Sequence, residues 1–314
     1  MKKLNHSIYR IKYIYGRWLK LDKPVDVSLE LSSLCNMSCV YCYHGDKANT
    51  PFKQKFMSWQ TAKKIIHESA EIGVNSLKMN WRGESTLSPH FREVCGLAKS
   101  LAHSGTFIER LSNSNFKFPN ERKDIFEGLS DQTKVKISYD SFKKDVFENQ
   151  RAGGDHDLTT KNIDTFYHWP GRQTEIVIQA VRTQANKDED FESEIKKRWP
   201  SASLSVRDVV TGRSEKDYDD LLVKDKVVKR IPCRQAFVRL IFAYDGSCSP
   251  CCPNIGMDIN LGNVNIQHVG SIYNGFAAWK LREDLKTGKA FEKNPCLNCS
   301  SHESYKGYKP NWSS

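Results

Sequence analysis

No stretch of the chain approaches the roughly 20 consecutive apolar residues that a membrane-spanning helix needs. The N-terminus is charged and aromatic, without the apolar run and small-residue cleavage site of a secretory signal, so a cytoplasmic protein is expected. Internal repeats and low-complexity tracts are absent. With 18 Gly and 11 Pro among 314 residues, collagen-like and disordered chains are excluded. Long blocks of like charge are missing too. The 48 basic and 37 acidic side chains leave a net +11, but the basic residues are scattered. That excess fits a solvated surface, or an anionic partner such as phosphate, nucleotide, acidic glycan, nucleic acid or membrane. With 39% hydrophobic and 27% charged residues, the chain can bury a sizeable core in one large domain with a smaller one attached.

Cysteine, by contrast, is plentiful and clustered. Ten are present: Cys35, Cys39 and Cys42; Cys95; Cys233; Cys248, Cys251 and Cys252; Cys296 and Cys299. An even count would suit a disulfide framework in a short secreted chain. This chain is neither short nor evidently secreted, so metal binding or catalysis is the better expectation.

Residues 1–23 place Leu4, Ile8, Ile11, Tyr15 and Trp18 at helical spacing among Lys2, Lys3, Arg10, Lys12, Arg17 and Lys20. Such a basic amphipathic helix could lie on a membrane or grip an anionic substrate. The expectation is that its apolar stripe packs onto the following domain. From residue 24 to 210, strand and helix patterns alternate: strands at Val25–Leu31, Ser76–Trp81, Phe107–Leu111, Val135–Tyr139, Glu175–Val181 and Ser203–Val206, with helices between them. That order predicts an α/β fold with a parallel sheet and right-handed crossovers, a partial (β/α)6 TIM-like barrel with its active residues at the C-terminal strand ends. Residues 211–232 read as a polar linker. Residues 233–314 read as a small metal-stabilised module with a strand at Phe237–Tyr244 and a helix near Gly275–Leu285.

The first cysteine group is Cys35-x-x-x-Cys39-x-x-Cys42. Structural zinc wants four ligands. Three thiolates on one loop instead satisfy three irons of a 4Fe–4S cube and leave the fourth open. This motif, with Tyr41 before Cys42, resembles that of the radical S-adenosylmethionine (radical SAM) superfamily. Trp81-Arg82-Gly83-Glu84 resembles the family's Gly-Gly-Glu motif, with Arg82 in place of the first glycine. The resemblance implies that Gly83 allows close backbone approach and that Glu84 helps hold the methionine amino group. It places Ser112, Asn113, Ser138, Asp140 and Gln179 among the ribose, carboxylate and adenine contacts. It further implies reductive cleavage of S-adenosylmethionine to a 5′-deoxyadenosyl radical, with an electron donor such as flavodoxin or ferredoxin.

Cys233, Cys251, Cys296 and Cys299 form a second group, closed by a Cys-x-x-Cys knuckle. By spacing alone it suits a zinc ribbon or a cubane cluster. The arrangement, with Asp245-Gly246 and Leu261-Gly262-Asn263-Val264, resembles the SPASM/twitch extension of radical SAM enzymes and implies an auxiliary 4Fe–4S cluster held by those four cysteines. The remaining thiols are too few for a further cluster. The single-cluster form resembles the subgroup that oxidises a secondary alcohol of an aminocyclitol, and it implies a carbohydrate-like or aminocyclitol substrate, with the auxiliary cluster accepting an electron. Epimerisation or peptide maturation through a cysteine hydrogen donor is the alternative, with Cys252 and Cys248 as candidates. Cys95 reads as core. Arg151 is the candidate base, although loop solvation is the simpler reading. The substrate is a small molecule or peptide, possibly anionic. A zinc-dependent nucleic-acid binder is disfavoured, because no finger spacing or recognition helix adjoins the first triplet.

Overall fold

In the computed structural model, residues 2–45, 50–103, 105–209, 232–297 and 299 are described. Helix α1 (Lys2–Tyr15) precedes an alternation of strand and helix. The order is β1 (Asp26–Leu29), α2 (Trp59–Glu71), β2 (Ser76–Lys78), α3 (Phe91–Ser100), β3 (Glu109–Ser114), α4 (Lys123–Ser130) and β4 (Lys134–Ser138). Then come α5 (Lys144–Gln150), α6 (His156–Tyr167), β5 (Glu175–Arg182), α7 (Phe191–Arg198) and β6 (Ser203–Asp208). The C-terminal part adds α8 (Gln235–Val238), β7 (Arg239–Phe242), β8 (Cys248–Ser249), α9 (Val269–Asn274) and α10 (Phe276–Thr287). Side-chain caps start several helices, Ser58 on α2, Asp155 on α6 and Asp190 on α7.

The sheet runs β6-β5-β4-β3-β2-β1-β7-β8, parallel throughout except for the last pair. This is the expected α/β partial barrel, with six strands before the C-terminal segment. Parallel strands covered on both faces are usually apolar throughout. Here they alternate. Val27, Leu77, Val135, Ile137, Ile176 and Ile178 pack against the helices. On the opposite, concave face the register aligns Asp26 with Ser76, Ser28 with Lys78, Asn113 with Lys136, and Ser138 with Gln179. The lumen of the barrel is therefore polar, as a site needs rather than a core.

Three details depart from the sequence reading. The segment expected to form a strand from Phe237 begins as helix α8, and β7 starts only at Arg239. β7 then pairs in parallel with β1, so the sheet continues into residues expected to stand apart. The third departure is α1, whose apolar stripe does not pack inward: Leu4, Ile8, Ile11, Tyr15 and Trp18 are exposed, while Tyr9 is buried. Tyr side chains can bury a ring and still satisfy the hydroxyl, so the aromatic face wins the interior. The expected linker, residues 211–232, lies outside the described residues except for Pro232.

Candidate active site and cluster cysteines

The first cysteine loop leaves the C-terminal end of β1 in irregular backbone, turned once by Cys42 N donating to Cys39 O at 3.0 Å. Three distant segments clamp it. Beyond β2, a Cβ on Gly83 would stand 2.3 Å from Leu34 O and 2.4 Å from Ser32 O, so only glycine passes there. The next amide, Glu84 N, donates to Leu34 O at 2.8 Å. Beyond β3, Asn115 Nδ2 donates to Asn36 Oδ1 at 2.7 Å and Asn36 Nδ2 to Lys117 O at 2.6 Å. At the end of α5 and just past it, Val40 N donates to Gln150 O at 3.0 Å and Ser38 N to Ala152 O at 2.7 Å.

The electrostatics call for a positive guest. Burial pushes the Cys35 thiol up to about 12, with Glu84 and the other two thiols adding to the rise. Burial likewise raises Cys39 to about 11, against the pull of Arg151. Three thiolates beside a carboxylate cannot ionise together without compensating charge, which an iron–sulfur core supplies on binding. The donor set fits that group. Glu84 is buried and its carboxyl is raised by desolvation. It accepts from Asn115 N (2.7 Å), Thr86 Oγ1 (2.8 Å) and Thr86 N (3.2 Å).

Asp140 is a hub at the end of β4. It receives the Tyr41 hydroxyl, Val181 N at 2.8 Å and the Arg151 guanidinium at 3.0 Å. Arg151 also donates to Cys39 Sγ at 3.8 Å. This corrects both readings of Arg151. The side chain is buried rather than solvated, and Asp140, Tyr41 and Cys39 hold its proton more tightly than usual. A guanidinium so placed stays charged and orients the loop; it is no base. Asn113, Ser138 and Gln179 share the lumen face, with Ser138 Oγ donating to Asn113 Oδ1 at 3.3 Å. Ser112 does not join them. The period of two along β3 turns it to the helix-packed side, fully buried.

The second group assembles from separated stretches. Cys233 precedes α8, Cys251 follows β8, and Cys296 and Cys299 follow α10. Burial raises the Cys251 thiol, and Cys233, Cys252, Cys296 and Cys299 raise it further through their charge, so the expected ligands share one electrostatic neighbourhood with Cys251. Burial pushes Cys233 up to about 11, with a smaller contribution from Cys299. Among the described residues no group of three or more His, Cys, Asp or Glu side chains gathers closely enough to hold a metal ion. Cys252 lies beside this group, its sulfur accepting from Arg239 Nη1 at 3.0 Å. Cys248 and Cys95 are fully buried core thiols, raised by desolvation.

Sequence reasoning missed the joint between the two sites. Arg82, buried, makes a bidentate pair with Glu30, both bonds 2.6 Å, and donates to Ile255 O at 2.9 Å. Its ring neighbours are Trp81 and Phe52. Trp81 Nε1 donates to Cys252 O at 3.0 Å. The only available signal was the arginine standing where a glycine was expected.

Residues 233–300 match the SPASM family, an iron–sulfur cluster-binding domain. Mycofactocin maturase MftC of Mycolicibacterium smegmatis is 26% identical over 201 residues, 64% of this chain and 49% of that protein. The chain spans about half the length of the curated relatives it matches. Among solved structures, BtrN in complex with AdoMet and 2-DOIA superposes with a TM-score of 0.60 at 16% identity, covering 92% of this chain and 98% of BtrN. SuiB of Streptococcus suis bound to S-adenosylmethionine gives 0.63 at 14% identity, covering 89% and 71%. The chain has a radical SAM fold with a SPASM module. The first cysteine loop of this chain follows the C-terminal end of β1, at the mouth of the barrel. Of the second cysteine group, Cys233 and Cys251 flank the segment in which β7 and β8 extend the same sheet.

Proposed function

We propose that the protein is a radical SAM enzyme that oxidises a secondary alcohol of a carbohydrate-like or aminocyclitol substrate. The observation that carries this reading is that Cys233, Cys296 and Cys299 all act electrostatically on the buried Cys251, within a stretch that matches an iron–sulfur cluster-binding domain. Four ligands close every iron and suit the group to accepting an electron rather than binding substrate. When bound, the cofactors supply hydrogen-atom abstraction by a 5′-deoxyadenosyl radical at the first site and an electron sink at the second.

The chain's own residues supply the rest. Cys35, Cys39 and Cys42 hold the first group. Gly83 and Glu84 press the loop into place, and Asn113, Ser138, Asp140 and Gln179 line the approach to it. Oxidation of an alcohol also requires a proton acceptor. Lys136 fills that role better than Arg151. It faces the lumen, has no hydrogen bond or ion pair among the described residues, and is lowered to about 8 by burial and by Arg207 and Lys78. An amine near neutrality can take the hydroxyl proton. Reduced flavodoxin or ferredoxin fits as electron donor.

The test is anaerobic turnover with candidate polyols, scoring ketone by hydrazine trapping against 5′-deoxyadenosine. The reading predicts one ketone per S-adenosylmethionine consumed. Lys136→Met should lose ketone while still releasing 5′-deoxyadenosine. Unchanged ketone yield in that variant contradicts the assigned base. A second reading has one observation in its favour. Arg239, which holds Cys252, also pairs with Asp26 on the lumen face of β1, so one side chain links the Cys252 thiol to the lumen. If Cys252 returns a hydrogen atom, the outcome is epimerisation, and turnover in deuterated water would place solvent deuterium on product carbon.

A further inference from the structure

Helix α1 has two faces with opposite characters. On the inner face Tyr9 donates to Glu109 Oε1 at 2.8 Å, and the Tyr13 hydroxyl receives Arg239 Nη2 at 2.8 Å. At Gly16, just beyond the helix, a Cβ would lie 2.2 Å from Val238 Cγ1. Glu109 and Arg239 open their strands, so these contacts fix α1 against the N-terminal end of the barrel, opposite the cysteine loop. The outer face carries Leu4 (63% exposed), Ile8, Ile11 (53%) and Tyr15, continued by Trp18 and Leu19. Six large apolar side chains on one rigidly held edge exceed the scattered exposure ordinary for a surface.

The same segment is singular in charge. Residues 1–21 contain Lys2, Lys3, Arg10, Lys12, Arg17 and Lys20 and no Asp or Glu. Arg17 turns inward to Pro232 O at 2.9 Å, and the others carry the basic character. The apolar edge also has a neighbour. Asn274 Nδ2 donates to Asp22 O at 2.9 Å, tying the end of α9 to the chain just after α1. Phe276 (76% exposed), two residues on, and Trp279 (52%) face solvent with their rings 5.6 Å apart.

We propose that this face seats the protein on an anionic lipid bilayer, with α1 lying in the headgroup layer, its apolar stripe inserted and its lysines and arginine among the lipid phosphates. An aliphatic centre, a basic surround and interfacial Tyr and Trp are what such a surface selects. A second copy of the same face would bring two wholly basic helices together, which charge opposes. A nucleic acid would leave the aliphatic stripe without a partner. Docked this way, the barrel presents its cysteine-loop mouth away from the bilayer.

The test is flotation of the full-length, cluster-loaded protein with vesicles of phosphatidylcholine alone or mixed with phosphatidylglycerol. The protein should float with the anionic vesicles and bind the neutral ones at least about tenfold more weakly, with the difference shrinking as salt rises. The double variant Ile8→Glu, Ile11→Glu alters two exposed positions and should weaken partition by about tenfold or more while iron content and melting temperature stay unchanged. Failure to float with anionic vesicles, equal binding to both vesicle types, or undiminished flotation of the double variant would overturn the proposal. So would a dimer in sedimentation that the double variant dissolves, since that outcome gives the face to a second copy.

Discussion

The two cysteine sites bury their thiols alike but are assembled in opposite ways. Cys35, Cys39 and Cys42 come from one short loop, whose shape is imposed by Gly83, Asn115, Lys117 and Ala152 from three other crossovers. Cys233, Cys251, Cys296 and Cys299 come from separated stretches, before α8, after β8 and after α10. A local motif with remote supports suits a site that must leave one corner open. Ligands gathered from a folded module suit a closed site. Trp81 and Arg82 connect the two, because their neighbours Gly83 and Glu84 press on the first loop while their own side chains reach Cys252 O and Ile255 O.

The contrast can be broken most completely at the ligands. Replacing Cys35, Cys39 and Cys42 with Ala should abolish 5′-deoxyadenosine formation and remove about four irons per chain. Replacing Cys296 and Cys299 should remove a similar number and end substrate oxidation while partial cleavage of S-adenosylmethionine survives. Iron analysis and chromatographic assay of 5′-deoxyadenosine check both. Next in size is Gly83→Ala, whose methyl group meets fixed backbone. It should empty the first site and leave the second loaded, so equal iron loss from both would contradict separate assembly.

Arg82→Met strikes the joint instead. It strands the buried Glu30 carboxylate, a loss of about 3–5 kcal/mol, to be read from denaturant unfolding. A change below about 1 kcal/mol would mean that the pair is not the tie described here. The smallest effect sharpens the lumen. Lys136, lowered to about 8 when folded, binds its proton less readily than in the unfolded chain. Below about 8 its burial therefore costs stability, and the cost fades as pH rises from there toward the ordinary lysine range. Lys136→Met should remove that upward slope and stabilise the fold near neutrality by up to about 3 kcal/mol.

The alternation of strands and helices and the position of the first cysteine loop at the mouth of the barrel were legible in the sequence, since period and spacing are local properties. What was not legible depends on tertiary partners. The apolar stripe of α1 reads as a packing face, yet Tyr9 and Tyr13 find Glu109 and Arg239, and the aliphatic side is left outside. Arg151 reads as a loop residue because the bond to Asp140 spans a crossover that sequence cannot close. Ser112 was misplaced by one position in the strand, enough to send a side chain to the wrong face. The short helix α8 gave too few residues for a period to show.

The central claim is that one site keeps an iron corner free and the other does not. Electron paramagnetic resonance of the reduced protein, titrated with S-adenosylmethionine, tests it directly when wild type is compared with the Cys35, Cys39 and Cys42 triple variant. The account predicts that S-adenosylmethionine perturbs one cluster signal in wild type and that the triple variant retains only a second, unresponsive signal. A signal in the triple variant that still shifts with S-adenosylmethionine, or protein free of labile sulfide, would contradict it.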